Sequence, residues 1–462
     1  MIGLDAALGE ERAEPWLPWI VIAGLAAALY APVLYPASGL FFGGFVSVDA
    51  FAGFFRLVFI VLAALTALIA PPYLGRKRVP AGEFYGVVLF STVGAMTIAL
   101  ATDLITLFVG LELVSIPTYV LAGLQRRDRW SNEAALKYFL LGAFSSALLL
   151  YGFAWLLGIS GSTELSAIAA AVGRAGIADP AVVVALALVT AGLGFKAAVV
   201  PFHQWTPDAY DGAPTPSTAF MSVAPKAAAF AAILRVMASA LGPLQLDWSL
   251  VFALLALVTM TGGNVVALVQ TNVKRMLAYS SIAHTGYILS GVAAMAAGAS
   301  AGAAVLFYVF AYGIMNLGAF ASLIYVDLEG TRGATLDELN GLWTRHAAGA
   351  LSFTIFLISL TGIPVTIGFL AKFLLIQPVL DAGYVWLAVA IALNAALAAF
   401  YYLRVVVHMF MYDPDEKAPR IERARVLSLS LGGIAILTIL LGILPDPIYS
   451  FALDAAALVV IR

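Results

Sequence analysis

The chain has no cysteine in 462 residues, only four histidines, and only 11% charged residues. The missing thiol excludes a disulfide framework, a thiolate nucleophile and a cysteine-ligated cluster. No two histidines stand at metal-ligand spacing, so no metal site is expected. Charge is scarce beside the roughly 25% typical of soluble domains, and no polar stretch is long enough to fold as a separate soluble domain. The net charge of −2 names no class of partner and gives no reason to expect nucleic-acid binding. The N-terminal stretch MIGLDAALGEERAEP is acidic rather than basic, unlike a cleaved signal peptide.

What is there is apolar. Hydrophobic residues make up 63% of the chain and mean hydropathy is +1.00. Runs of about 20 apolar residues recur, the length that spans a bilayer core of about 30 Å. The sequence therefore predicts an all-α polytopic membrane protein, residues 1–462 forming one membrane domain. Thirteen spans are expected, near 16–36, 51–73, 83–102, 104–124, 133–157, 181–200, 215–241, 248–270, 274–297, 301–327, 347–379, 383–411 and 425–444. The apolar tail 447–461 is too short to span and reads as an interfacial or packed segment.

Basic residues set the orientation. One set of alternate loops holds Arg76, Lys77 and Arg78, then Arg126, Arg127 and Arg129, then Lys274 and Arg275. It continues with Arg332 and Arg345 and ends with Lys417, Arg420, Arg423 and Arg425, whereas the opposite set has Arg174 as its one clear internal basic residue. The basic loops face the inside, which puts the N-terminus inside and the C-terminus outside.

The stretch from Gly192 to Lys226 breaks the apolar pattern. It carries Lys196, His203, Asp208, Asp211 and Lys226, with prolines at 201, 207, 214, 216 and 225. A charged side chain at mid-bilayer costs about 2.5–3.5 kcal/mol on insertion scales, so intramembrane lysines line a bundle interior or a wet path. Proline interrupts the helix ladder, and interruptions at membrane depth occur where backbone lines a cavity. A second interrupted segment, LTGIPVTIGFLAKFLLIQP, places Gly362, Pro364 and Gly368 ahead of Lys372. Two Gly/Pro-broken helices of opposite direction mark an inverted-repeat transporter, with halves near 83–241 and 248–411.

The remaining ionisable residues divide by depth. Glu112 falls near the middle of its span and must be protonated, paired or hydrated; a carboxylate beside Lys196 would switch whether that lysine keeps its proton. Lys137 lies close to the basic side, where snorkelling is an equally good reading. His203 follows Pro201 and could relay protons; His284, in SSIAHTGY, is a second candidate and equally readable as packing. His346 and His408 sit near the inner face with no role assigned. Asp208, Asp211, Asp103, Asp247 and Asp446 stand at loop or helix-end positions and read as caps. Arg56, Arg235 and Arg404 fall within spans, near their ends or paired. Gly192, Gly194 and Ala197 fit a dinucleotide-binding spacing, but about twenty apolar residues precede them where a short strand is required, so they read as helix packing.

The segments GLELVSIPTYVL, EAALKYFLLGA, PFHQWTPDAYDGAPTP, NVKRMLAYSSIAHTGY and GIPVTIGFLAKF carry a resemblance. Together, over roughly residues 45–445, they resemble the N-type antiporter-like membrane subunit of respiratory complex I, an NADH:quinone oxidoreductase. The resemblance implies a fourteen-helix channel of two halves, pumping protons as quinone is reduced elsewhere in the complex. Its glutamate falls on Glu112, its lysines on Lys137, Lys196, Lys226 and Lys372, and the histidine after the break on His203. The implied roles are a Glu112–Lys196 switch, Lys226 with His203 as central relay, and Lys372 towards the exit. A lysine at 372 and only eighteen residues after Leu444 depart from the M-type and L-type relatives respectively. Against the family's fourteen helices, one N-terminal span is missing.

The resemblance places no cofactor in this chain; NADH, flavin, iron–sulfur clusters and quinone belong to partner subunits. Those partners are the other membrane and peripheral subunits, including neighbouring antiporter-like ones, in a bacterial plasma membrane. The alternatives are a subunit of a multisubunit sodium/proton antiporter, or an assembly subunit that moves no ions. The electron donor is left open.

Overall fold

Without water to satisfy backbone donors and acceptors, an apolar segment in lipid must pair them internally, which selects the helix. The computed structural model describes residues 15–327, 335–414 and 424–457. The topology markers Arg332, Lys417, Arg420 and Arg423, the N-terminal stretch to residue 14 and the end of the apolar tail lie outside them.

The first helices are α1 (Leu17–Leu34), α2 (Ala50–Ile69), α3 (Ala81–Leu100), α4 (Leu104–Ala122) and α5 (Arg129–Ser160). Surface helix α6 (Leu165–Ala175) leads to α7 (Pro180–Ala197), α8 (Trp205–Gly212), α9 (Thr215–Met221) and α10 (Ala224–Arg235). Then come α11 (Gln245–Leu268), α12 (Val273–Ala293), α13 (Ala299–Ser322), α14 (Ala347–Thr361), α15 (Ile367–Asp381), α16 (Val385–Met411), α17 (Arg425–Ile443) and α18 (Asp446–Ala456). All thirteen expected crossings have a helical counterpart. Among the described residues, eleven segments are long and apolar enough to span by themselves. The other two crossings are α12, which carries Lys274, Arg275 and His284, and the α14–α15 pair, which is broken.

Helix starts follow capping chemistry. Asp49, Asp103, Asp128, Asp179 and Asn272 accept backbone N–H groups at the starts of α2, α4, α5, α7 and α12. The cap reading thus holds for Asp103. The core sits around α13, whose membrane window is wholly buried, while only 22% of the α1 window is buried. Close approach of α11 to α12 is set by Gly286, where a Cβ would lie 2.4 Å from Met260 N. The tail helix α18 packs rather than spans: Phe451 meets Phe54 of α2 and Tyr449 meets Phe307 of α13. The hydropathy reading missed surface helix α6 and also a two-stranded hairpin pairing Gly39–Phe41 with Val46–Val48.

Candidate functional site

Both breaks fall where proline and glycine predicted them. Helix α7 ends at Ala197, and residues 198–204 pass to α8; α14 ends at Thr361, and residues 362–366 pass to α15. Lys196 occupies the last turn of α7, before its break. Lys372 follows its break, yet its ammonium reaches back to donate to the carbonyls of Leu360 and Thr361 at 2.9 and 2.8 Å. The two lysines thus sit differently: the Lys372 ammonium lies on the terminal carbonyls of α14, where the helix dipole favours a cation, whereas Lys196 stands in the last turn of α7 and directs its ammonium to side chains of α4 and α5.

Glu112 and Lys196 meet as expected. The Lys196 ammonium donates to Ser115 Oγ at 2.7 Å and Ser146 Oγ at 3.0 Å, and lies 3.5 Å from Glu112 Oε1. Ser146 in turn donates to the same Glu112 oxygen at 2.6 Å. Helices α4, α5 and α7 supply these groups, and the two serine hydroxyls accept from the ammonium beside the ion pair.

From here the line continues through α12. Thr285 donates to the Ala197 carbonyl at 2.8 Å, beside Lys196, and to the Ser281 carbonyl at 3.2 Å. Lys226, whose side chain is buried, donates to that same Ser281 carbonyl at 2.7 Å and to the Ser281 hydroxyl. Tyr312 donates to Ser281 Oγ at 2.8 Å. His284 stands next, its Nδ1 2.9 Å from Tyr308 OH and its Nε2 3.4 Å from Tyr402 OH, with Ser280 bonded to Tyr402. Its ring lies 5.1 Å from that of Tyr312 and 5.6 Å from that of Tyr287, and the Lys372 ammonium sits 4.8 Å over Tyr287. Ser281 and Tyr312 stand between Lys226 and His284, and Tyr287 between His284 and Lys372, while the Glu112–Lys196 pair adjoins this set through the backbone carbonyl of Ala197.

His203 and Lys137 have no hydrogen bond to these groups among the described residues. No hydrogen bond joins His203 to Lys226 among the described residues; His203 is half-buried in the first break with Nδ1 lacking a partner. His284, the second candidate, lies nearer to Lys226, its ring 5.1 Å from that of Tyr312, which bonds the serine that holds Lys226. Lys137 lies on the exposed side of α5, paired with Glu133 at 2.7 Å and Asp208 at 2.8 Å. Asp208 is accordingly an ion-pair partner rather than a cap, held also by Arg275 at 2.8 Å. Burial raises its carboxyl, but the hydrogen bonds from Lys137 and Arg275 outweigh that and hold it below the ordinary carboxylate range.

With that geometry in place, relatives can be set beside it. The membrane family described as NADH:quinone oxidoreductase/Mrp antiporter matches residues 101–398. NADH-quinone oxidoreductase subunit N of Trichlorobacter lovleyi is 44% identical, over 97% of this chain and 92% of its own. The chain belongs to the NADH-quinone oxidoreductase subunit N family. A chain of respiratory complex I from Thermus thermophilus superposes with a TM-score of 0.78 at 33% identity, covering 95% of this chain and 94% of that one. A chain of the Mrp complex from Dietzia sp. gives 0.84 at 23% identity, covering 99% and 94%, a likeness of fold alone.

The structure also exposes pairs that sequence reasoning left unassigned or misread. Arg235 of α10 holds Asp49 at 2.7 Å and the Ala99 carbonyl, tying α10 to the start of α2 and the end of α3. Lys274, counted above as a loop charge, is buried 3.7 Å from Asp327, and both side chains are at most 4% exposed. The signal for that pair was present in the two charges at the ends of adjacent spans, but loop position concealed their burial. The Gly192–Ala197 spacing is packing as expected: Gly192 faces Leu149, where a Cβ would come within 2.6 Å of the leucine Cβ. Among the described residues, no cluster of three acidic or histidine side chains is placed to hold a metal.

Proposed function

We propose that this chain is a proton-translocating membrane subunit of a complex I-type NADH:quinone oxidoreductase, assembled with the other membrane and peripheral subunits in a bacterial plasma membrane. The observation that carries the reading is the contact of Glu112 with Lys196, continued to Lys226, His284 and Lys372 by hydroxyls and half-helix carbonyls. A proton can pass only where groups alternate between charged and neutral forms. Lysines at half-helix ends can do so, because serine hydroxyls and carbonyls accept from the ammonium while Glu112 favours its charge. When Glu112 is drawn towards Ser146, Lys196 loses part of its counter-charge and releases its proton along the line through Lys226. His284 then bridges to Lys372, from which the proton leaves.

The two halves, about 83–241 and 248–411, each contribute one broken helix and operate as coupled half-channels. The basic loops face the cytoplasm, with the N-terminus inside and the C-terminus outside. Lys137 serves at the exposed rim of the path, exchanging with Asp208. Nicotinamide, flavin, iron–sulfur clusters and quinone reside in partner subunits. The chain isolated by an affinity tag from its host membranes should co-purify with subunits bearing NADH- and quinone-binding sites, and the isolate should pump protons as quinone is reduced. Recovery solely with subunits of a sodium/proton antiporter would replace this reading with that alternative.

A further inference from the structure

The segment between α2 and α3 and the loop between α4 and α5 meet on the basic side of the bundle. Between them lies a cavity of about 720 Å³, lined by Lys77, Arg78, Arg126 and Arg127 with the buried Val79 and Leu124 as its apolar wall. That volume lies within the range of small-molecule sites, about 300–1,000 Å³. Arg126 is engaged by Glu83 at 2.7 Å. The acid that also lines the cavity, Asp128, accepts the Trp130 N–H at 3.1 Å as the cap of α5. Lys77, Arg78 and Arg127 make no hydrogen bond or ion pair among the described residues. Three such cations in one cavity repel one another and favour a shared anion.

The cavity stands at headgroup depth. Helix α2 ends at Ile69, α3 starts at Ala81, α4 ends at Ala122 and α5 starts at Arg129, so four crossings leave the apolar layer around it. Exposed Trp130, with the Arg129 guanidinium 5.1 Å over its ring, marks the same interface. In the last two turns of α4, Ile116 and Val120 face outward, 56% and 47% exposed, an apolar surface for acyl chains. Arg78 closes the short helix Pro71–Lys77 with a left-handed backbone, φ 52° and ψ 46°, a conformation that glycine adopts without strain. Basic residues that only orient the chain in the membrane need neither this convergence on one cavity nor that strain.

We propose that this cavity binds the phosphate of an anionic phospholipid from the leaflet on the basic side, held by Lys77, Arg78 and Arg127, with its acyl chains against α4. One ammonium and two guanidiniums supply charge-assisted donors to the phosphate oxygens. Basic pockets between spans suit such headgroups. A zwitterionic lipid offers the same phosphate but brings a cation that these three repel, so the site selects by net charge. An acidic protein segment would satisfy the cations but leave the outward face of α4 without its apolar cover. The site is independent of the proton relay and stands whether or not that reading does.

The test uses the intact complex in phosphatidylcholine vesicles carrying a small fraction of phosphatidylglycerol with a photoactivatable headgroup. Mass analysis of this subunit should find the label on peptides 71–80 and 124–130, at least about fivefold above that from a matching phosphatidylethanolamine probe. Unlabelled phosphatidylglycerol should displace the probe and inorganic phosphate should not. Arg78→Gly and Arg127→Gln should each lower labelling about fivefold. Arg78→Gly suits the left-handed backbone, so it should do this without lowering the thermal stability of the complex, an outcome that a merely structural arginine would not give. If a variant does not assemble, the competition in the wild-type complex decides. Equal labelling by both lipids would reduce the site to ordinary bilayer contact and overturn the proposal. Displacement by inorganic phosphate as effective as by lipid would make it a free-phosphate site, and absence of label from both peptides would leave the cations to a protein partner; either result also overturns it.

Discussion

Replacing Lys196 by alanine and by arginine separates a proton carrier from a structural ion pair. Removing one partner of a fully buried pair costs about 3–5 kcal/mol, because the other charge is stranded. Here the Glu112 side chain is 26% exposed and keeps the 2.6 Å hydrogen bond from Ser146, so the stranded carboxylate is partly satisfied. The loss should be nearer about 2 kcal/mol, small enough for the alanine subunit to assemble into the complex. Its pumping should nevertheless collapse, since alanine cannot hold a proton. Arginine restores the charge and can pair with Glu112, so assembly should match wild type. With a pKa above about 12, however, no more than about one guanidinium in 10⁵ is neutral at pH 7, and proton release should fall at least about tenfold. The assay is acidification of vesicles containing the purified complex, scored per quinone reduced. Wild-type pumping per electron in the arginine variant would refute the carrier role.

Further outcomes follow from the same geometry. His284→Phe, which keeps the ring but loses the bonds to Tyr308 and Tyr402, should reduce pumping about tenfold, while His203→Gln should change it less than about twofold. Gly368→Ala should impair assembly or displace Lys372, because its Cβ would lie 1.9 Å from the Ser359 carbonyl oxygen; overpacking of this kind costs about 1–3 kcal/mol or more, and Gly158→Ala, with nothing within 4 Å, is the neutral control. Asp208, held below the ordinary carboxylate range, should stabilise the subunit at neutral pH and lose that contribution as pH falls below about 4; thermal melts of wild type and Asp208→Asn should therefore converge at low pH.

The crossings and breaks were legible because membrane physics leaves few alternatives. A run of apolar residues must be helical, and proline with glycine inside such a run must line something polar. Glu112, Lys196, Lys226 and Lys372 announced themselves for the same reason: each interrupts a stretch where charge is expensive. His284 was harder to rank than His203, because nearness to a break in sequence suggested function. The ring that touches Lys226's neighbours belongs instead to a continuous helix, and only packing reveals that. Depth misled in one case and served in another. Lys274 reads as a loop charge yet is buried against Asp327, whereas Lys137, which from depth read equally as a snorkelling lysine, does face outward against Glu133 and Asp208. Both depend on which neighbouring helix turns towards the residue, which a single span does not encode. The Gly39–Val48 hairpin was missed because its three-residue strands are shorter than any hydropathy window.

Lys226 gives the most direct test, because it is the buried lysine at the centre of the proposed relay, held by Ser281 beside Tyr312 and His284. Methionine fits its volume and removes the one titrating atom without stranding a counter-ion. Proton pumping by the reconstituted complex carrying Lys226→Met, in preparations shown to contain every subunit, should be abolished or reduced at least about tenfold per quinone reduced. An assembled Lys226→Met complex that pumps at the wild-type ratio would contradict proton translocation along this line.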